Sequence, residues 1–108
     1  MARLATEIVY NGRDNTIDLI LLADGVAVDL AAVTRIDLIV DSSNTITNST
    51  SDAFPVKWEH TTPVTGKISM QLGSEGITAD SYSGQLIVFD PSNTNGINWG
   101  EVPLTVRD

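Results

Sequence analysis

The chain has 108 residues, 14 acidic and 6 basic, for a formal net charge of −8, and it contains no cysteine. That length allows one domain with one core, and burial of roughly 65% of the unfolded surface lets it fold without covalent staples. The missing cysteines exclude disulfides, thiolate metal centres and cysteine nucleophiles, and the acidic balance excludes unaided nucleic-acid binding, which needs clustered Lys and Arg.

An acidic surface keeps a protein soluble or suits a basic partner patch, and it disfavours an anionic membrane. No stretch approaches the ~20 apolar residues that span a bilayer. Met1–Glu7 lacks the apolar centre of a secretion signal. The first ten residues, Met1 to Tyr10, are expected to supply an arm or an edge strand for a neighbour, since an unpaired sheet edge is a template for docking.

Period two dominates the chain from Ile17 onward. Ile17, Leu19 and Leu21 form the first alternating set, and Ile36, Leu38 and Val40 the next. Ile68, Met70 and Leu72 come third, then Leu86 and Val88, then Val102, Leu104 and Val106. Successive side chains of a strand point to opposite faces, so each set is an inward face. Apolar residues at outward positions, Ile20, Ile39 and Ile87, predict that some strands are covered on both sides.

Turn signals separate these runs: Asn11-Gly12, Asp24-Gly25, Ser42-Ser43-Asn44, Gly73 to Gly76 and Pro91 to Gly96. Asp24-Gly25, between Leu21-Leu22 and Val26–Val28, predicts a hairpin in which Gly25 takes a positive φ. Asp29–Thr34 carries helix-friendly residues and an Asp cap, and predicts a short helical crossing between sheets. Ser42 to Asp52, rich in Ser, Thr and Asn, predicts a long exposed hairpin or a loop. The expected architecture is all-β: an immunoglobulin-like antiparallel β-sandwich of about seven strands with that one helical crossing, as a single domain over residues 1–108.

The chain offers little to catalysis. His60, the one histidine, stands in the polar run Glu59–Pro63, and there is no Gly-x-Ser-x-Gly elbow around Ser81 or Ser83. No pair of carboxylates is singled out for glycosidase work. Asp90, Asn93 and Asn95 echo half of a calcium loop, but Pro91 stands where the first Asp belongs and Val102 where the twelfth ligand belongs. A turn wants the same residues, so no metal, no cofactor and no enzyme activity are expected. Asn48-Ser49-Thr50 matches a glycosylation acceptor and is read as chance.

Tyr82 enters the run Gln85–Phe89, the place where a sandwich carries a tyrosine corner, a folding device that bonds back to the preceding connection. Trp58 and Trp99 are core or rim residues by the commoner reading. If exposed, they form a binding surface for carbohydrate or protein.

Taken together, Leu21–Leu30, Val33–Leu38, Gly66–Gly73, Tyr82–Asp90 and Asn95–Gly100 resemble the small immunoglobulin-like virion proteins of tailed bacteriophages. The chain is similar to the sandwich modules of capsid decoration, baseplate and fibre-adaptor proteins. The resemblance implies a non-enzymatic particle component, present in many copies or as a homo-oligomer. It would be assembled in the host bacterial cytoplasm and docked on phage capsid or tail proteins. Contact with nucleic acid or membrane is not implied. The alternative is a receptor- or glycan-binding adhesin module of a phage tail or fibre, using Trp58, Trp99 and the Ser42–Asp52 loop.

Overall fold

The computed structural model describes residues 2–3, 6–59 and 65–108. These form eleven strand segments and no helix: β1 (Ala2–Arg3), β2 (Glu7–Tyr10), β3 (Thr16–Ile20), β4 (Leu22–Ala23), β5 (Val26–Ala27), β6 (Arg35–Ile39), β7 (Thr45–Asn48), β8 (Val56–Trp58), β9 (Lys67–Gln71), β10 (Asp80–Asp90) and β11 (Asn93–Arg107). The four beyond the expected seven are β1, β2 and the two short arms of the β4–β5 hairpin.

The larger sheet runs β1-β11-β10-β6-β7, with β2 also on β11; the smaller runs β3-β9-β8. Both β1 and β2 pair with β11 in parallel, so these two strands lie along an edge of the chain's own larger sheet and are not given to a neighbour. All other pairings are antiparallel.

The alternating sets meet in one core. Ile17, Leu19, Leu21, Ile36, Leu38, Val40, Ile68, Met70, Leu72, Leu86, Val88, Val102, Leu104 and Val106 are all buried. Val9, Leu30, Ile46, Val56, Trp58 and Ile77 complete it, and no polar or charged residue is buried with them among the described residues. Burying each large aliphatic side chain contributes on the order of 1.5–3 kcal/mol.

Two expectations are corrected. Asp29–Thr34 is a turn and not a helix: the Val33 N–H donates to the Leu30 carbonyl (3.1 Å) and the Ala31 N–H to Asp29 Oδ1 (2.9 Å). One helical turn fixes three residues for one hydrogen bond. Here an Asx turn and the burial of Leu30 decide the conformation instead. Of the outward residues, Ile20 and Ile39 are exposed, so β3 and the end of β6 are open on that face, while Ile87 on β10 is half-buried. Among the described residues no helix is long and apolar enough to cross a membrane.

Candidate functional site

The β10–β11 hairpin turns on Pro91 and Ser92, with Asp90 paired to Asn93 across its end. The Ser92 N–H donates to Asp90 Oδ1 at 2.9 Å, and Asn93 Nδ2 donates to both carboxylate oxygens at 3.0 and 3.2 Å. Asn93 thus turns its nitrogen toward Asp90, whereas calcium requires oxygens. Asn95 is exposed further along β11. Among the described residues no three of His, Cys, Asp and Glu gather to hold a metal.

Tyr82 packs against the core while its hydroxyl donates to the Thr78 carbonyl, four residues upstream, at 2.6 Å. That is the backward bond a tyrosine corner makes. Partial burial, then the carboxylates of Asp80 and Asp41, raise its phenol above the ordinary value of 10.0. Gly25 lies at φ 79 beside Asp24 at φ 52, two positive φ angles in succession, as a two-residue type I′ hairpin demands.

The tryptophans are not a shared surface. Trp58 is 5% exposed, because Val56 and Trp58 occupy the inward positions of β8. Trp99 is half-buried against the core, at a bulge. Leu86 pairs with Gly100 and Ile87 with Asn98, which leaves Trp99 as the extra residue. Asn98 holds the bulge, accepting the Gly100 N–H on Oδ1 (2.9 Å) and donating to Gln85 Oε1 (2.7 Å). His60 lies outside the described residues.

Two surface features were not singled out by the sequence. One is a groove of about 470 Å³ on the outer face of the smaller sheet, under the loop that carries Asp52 and Phe54. Asp18 Oδ1 accepts from Ser69 Oγ at 2.7 Å, and Lys67 Nζ stands 3.8 Å from Asp18 Oδ2. Lys57 Nζ lies 5.0 Å from the centre of the Phe54 ring. The groove is polar, with Phe54 and a little of Trp58 as its aromatic lining, and suits a hydroxylated ligand better than an apolar one.

The loop above it hangs on Asn48, whose Nδ2 donates to the carbonyls of Thr50, Ala53 and Val56 at 2.9, 2.5 and 2.7 Å. The amide of the Asn48-Ser49-Thr50 triplet is therefore committed to the backbone.

The second feature is apolar. Ile20, Leu22 and Val26 are 57%, 53% and 67% exposed, the three most exposed large apolar residues among those described. They stand at the end of β3 and on the β4–β5 hairpin beyond it. The sequence carried the signal: apolar residues crowd both sides of a two-residue turn, which projects from the sheet and cannot bury both of its faces. Neither a protein-family model nor a curated protein matches this chain.

Proposed function

We propose that this chain is a non-enzymatic structural component of a tailed-phage particle, an accessory or decoration protein that docks on the capsid or tail lattice. The phage assignment rests on the resemblance of Leu21–Leu30, Val33–Leu38, Gly66–Gly73, Tyr82–Asp90 and Asn95–Gly100 to small immunoglobulin-like virion proteins. The immunoglobulin-like reading is supported by the strand order, β3-β9-β8 in one sheet against β2-β11-β10-β6-β7 in the other. With β3, β9 and β8 taken as strands B, E and D, β10 and β11 become F and G and β6 becomes C.

The observation that carries the docking role is the exposure of Ile20, Leu22 and Val26 at the end of β3 and on the two faces of the β4–β5 hairpin, on a protein whose core is otherwise well sealed. Tyr82 and Gly25 serve the fold in this reading, and Trp99 lies at the rim. The protein acts in the virion after assembly in the host cytoplasm. The test is to pellet purified virions made with and without the gene and probe for the protein. Its absence from wild-type particles would end the proposal.

A second reading, a glycan- or receptor-binding module, draws on the polar groove beside Phe54. Trp58 reaches that groove with only the small part of it that is open, 5% of its surface. Binding on a glycan array that is lost in Phe54→Ala and kept in Trp99→Ala would favour this reading. A blank array would remove it.

A further inference from the structure

Among the described residues the longer strands with an edge free of a neighbouring strand are β2, β3, β7 and β8, and they differ in what they offer. The edge of β8 is closed by its own loop, since the Trp58 N–H donates to the Ser51 carbonyl at 3.2 Å. The free edge of β7 carries Thr45 and Thr47; Ile46 between them is turned into the core, and Ile39 across from Thr45 is only 37% open. The edge strand β2 is short and bears Glu7, and its exposed residues Ile8 and Tyr10 are only 38% and 40% open.

The edge of β3 is different. Leu21 donates its N–H to the Gly66 carbonyl at 2.8 Å, in line with the register Leu19↔Ile68 and Ile17↔Met70. Antiparallel pairs alternate between hydrogen-bonded and open, so Ile17, Leu19 and Leu21 spend their backbone groups on β9. The N–H and C=O groups of Thr16, Asp18 and Ile20 then point away from the sheet. Neither β1 nor β2 meets them, because both are paired to β11. Among the described residues no strand lies beside this row of backbone groups, which runs on toward the exposed Ile20 and Leu22, with Val26 on the other face of the hairpin.

We infer that β3 and the β4–β5 hairpin form a docking edge for an extended, lysine- or arginine-bearing segment of another protein, which adds to the smaller sheet as a fourth strand. The inference rests on the docking role proposed above and names its surface and partner. Charge selects the occupant. Asp14, Asp18 and Asp24 lie along this edge and hairpin, against Lys67 on the neighbouring strand, in a chain of net charge −8.

A second copy is disfavoured on the same ground. Two β3 strands related by a two-fold through Asp18 would set Asp18 opposite Asp18, and like charges directly opposite are destabilising. A partner strand with a basic residue across from Asp18 gains there. Its apolar residues on the alternate positions continue the core face beside Ile17 and Leu19, and hydrogen bonds to Thr16, Asp18 and Ile20 supply the rest.

The experiment uses amide hydrogen exchange by NMR on the intact chain, with two synthetic peptides as probes, one alternating lysine and valine, the other glutamate and valine. In the free protein the Asp18 and Ile20 amides should exchange at least about tenfold faster than those of Ile17 and Leu19, which sit in the ladder. The lysine peptide should slow Asp18 and Ile20 and shift the resonances of Leu22 and Val26, and the glutamate peptide should do neither. Asp18→Lys should weaken the lysine peptide about tenfold or more and reverse the preference. Asp18 and Ile20 amides already protected in the free protein, or a lysine peptide that perturbs other residues and leaves these untouched, would overturn the inference.

Particle incorporation separates this from the broader reading. If Val26→Asp and Asp18→Lys, both melting like the wild type, enter virions at full occupancy, the docking edge is wrong and the phage role stands. If wild-type protein is missing from virions, the phage role falls, and the peptide result alone decides the edge.

Discussion

Asn48 gives the sharpest test of how the surface loop is held. Its one amide nitrogen reaches the carbonyls of Thr50, Ala53 and Val56, and its Oδ1 accepts the Thr50 N–H at 3.3 Å. Two protons serve three acceptors, so the group supplies two full bonds with one shared. At about 0.5–1.5 kcal/mol net for each neutral bond, Asn48→Ala should cost about 1–3 kcal/mol. For a domain of this size that is a fall in Tm of about 5–15 °C. Asn48→Asp should be worse than Ala at neutral pH, because it presents a carboxylate to three carbonyl oxygens.

The acid side of the titration then separates this mechanism from simple loss of packing. A carboxyl at position 48 is disfavoured in its charged form, so its folded pKa lies above its unfolded value of about 3.9. Stability linked to a raised pKa is fully present below the unfolded value and is lost as pH rises through the folded one. The Asp variant should therefore recover relative to the Ala variant near pH 3, where a protonated carboxyl regains one donor. Thermal melts of the three proteins at pH 3 and pH 7 provide the measurement. An Ala variant within about 0.5 kcal/mol of wild type, or an Asp variant as stable as wild type at pH 7, would refute the argument.

Met70 is fully buried between its partners on β3 and β8, so Met70→Ala should cost about 2–5 kcal/mol in denaturant unfolding, with an unchanged m-value. Gly66 has φ +66, and a methyl there would run into the Leu21 carbonyl oxygen, with the Val28 nitrogen 3.1 Å away. Gly12 has φ +76 with open space around it. Gly66→Ala should therefore lower Tm clearly more than Gly12→Ala, which carries only the backbone penalty. The raised phenol of Tyr82 sets an alkaline limit. Its contribution should be complete below the unfolded value near 10 and be lost as pH climbs through the higher folded value, a loss that Tyr82→Phe should abolish in melts across that range.

How much of the fold was legible in the sequence depends on what each residue's environment decides. Alternation placed Ile17, Leu19, Leu21, Ile36, Leu38, Ile68, Met70, Leu86, Val102 and Leu104 correctly, because one face of a strand must meet the core whatever its neighbours are. Trp58 was read only as a core or rim residue by the commoner case, and the structure buries it with Val56 on the inward face of β8. What lies above an outward face is set by chain connections, which alternation does not encode. Ile20 and Ile39 were accordingly expected under cover and are exposed. Asp29–Thr34 misled because helix propensity is a weak force over a single turn, where one Asp side chain bonded to Ala31 decides more. The tip at Pro91 to Gly96 reads as one long turn. In the structure Asp90 and Asn93 pair, which shortens the turn to Pro91 and Ser92 and carries the rest of the segment into β11. The groove beside Phe54 is assembled from β3, β8, β9 and a loop held by Asn48, residues separated by tens of positions, so no local pattern announces it.

The open edge of β3 presents a physical tension that charge resolves. A row of N–H and C=O groups with no strand beside it among the described residues, running toward exposed Ile20 and Leu22, is an aggregation hazard, and proteins guard such edges with charges. Asp18 stands in the middle of this edge on its outer face, and its partners Ser69 and Lys67 hold it there. Against another copy of the chain it is a barrier, because the approach brings Asp18 toward Asp18 and one net charge of −8 toward another. Against a basic strand it is an attraction, strongest when salt is low and screened over roughly 8 Å at physiological ionic strength. The apolar contacts of Leu22 and Val26 are indifferent to that screening. Charge therefore governs which strand arrives and how fast, and the hairpin governs how long it stays. Protection from self-association and choice of a basic partner then follow from one carboxylate at the same position.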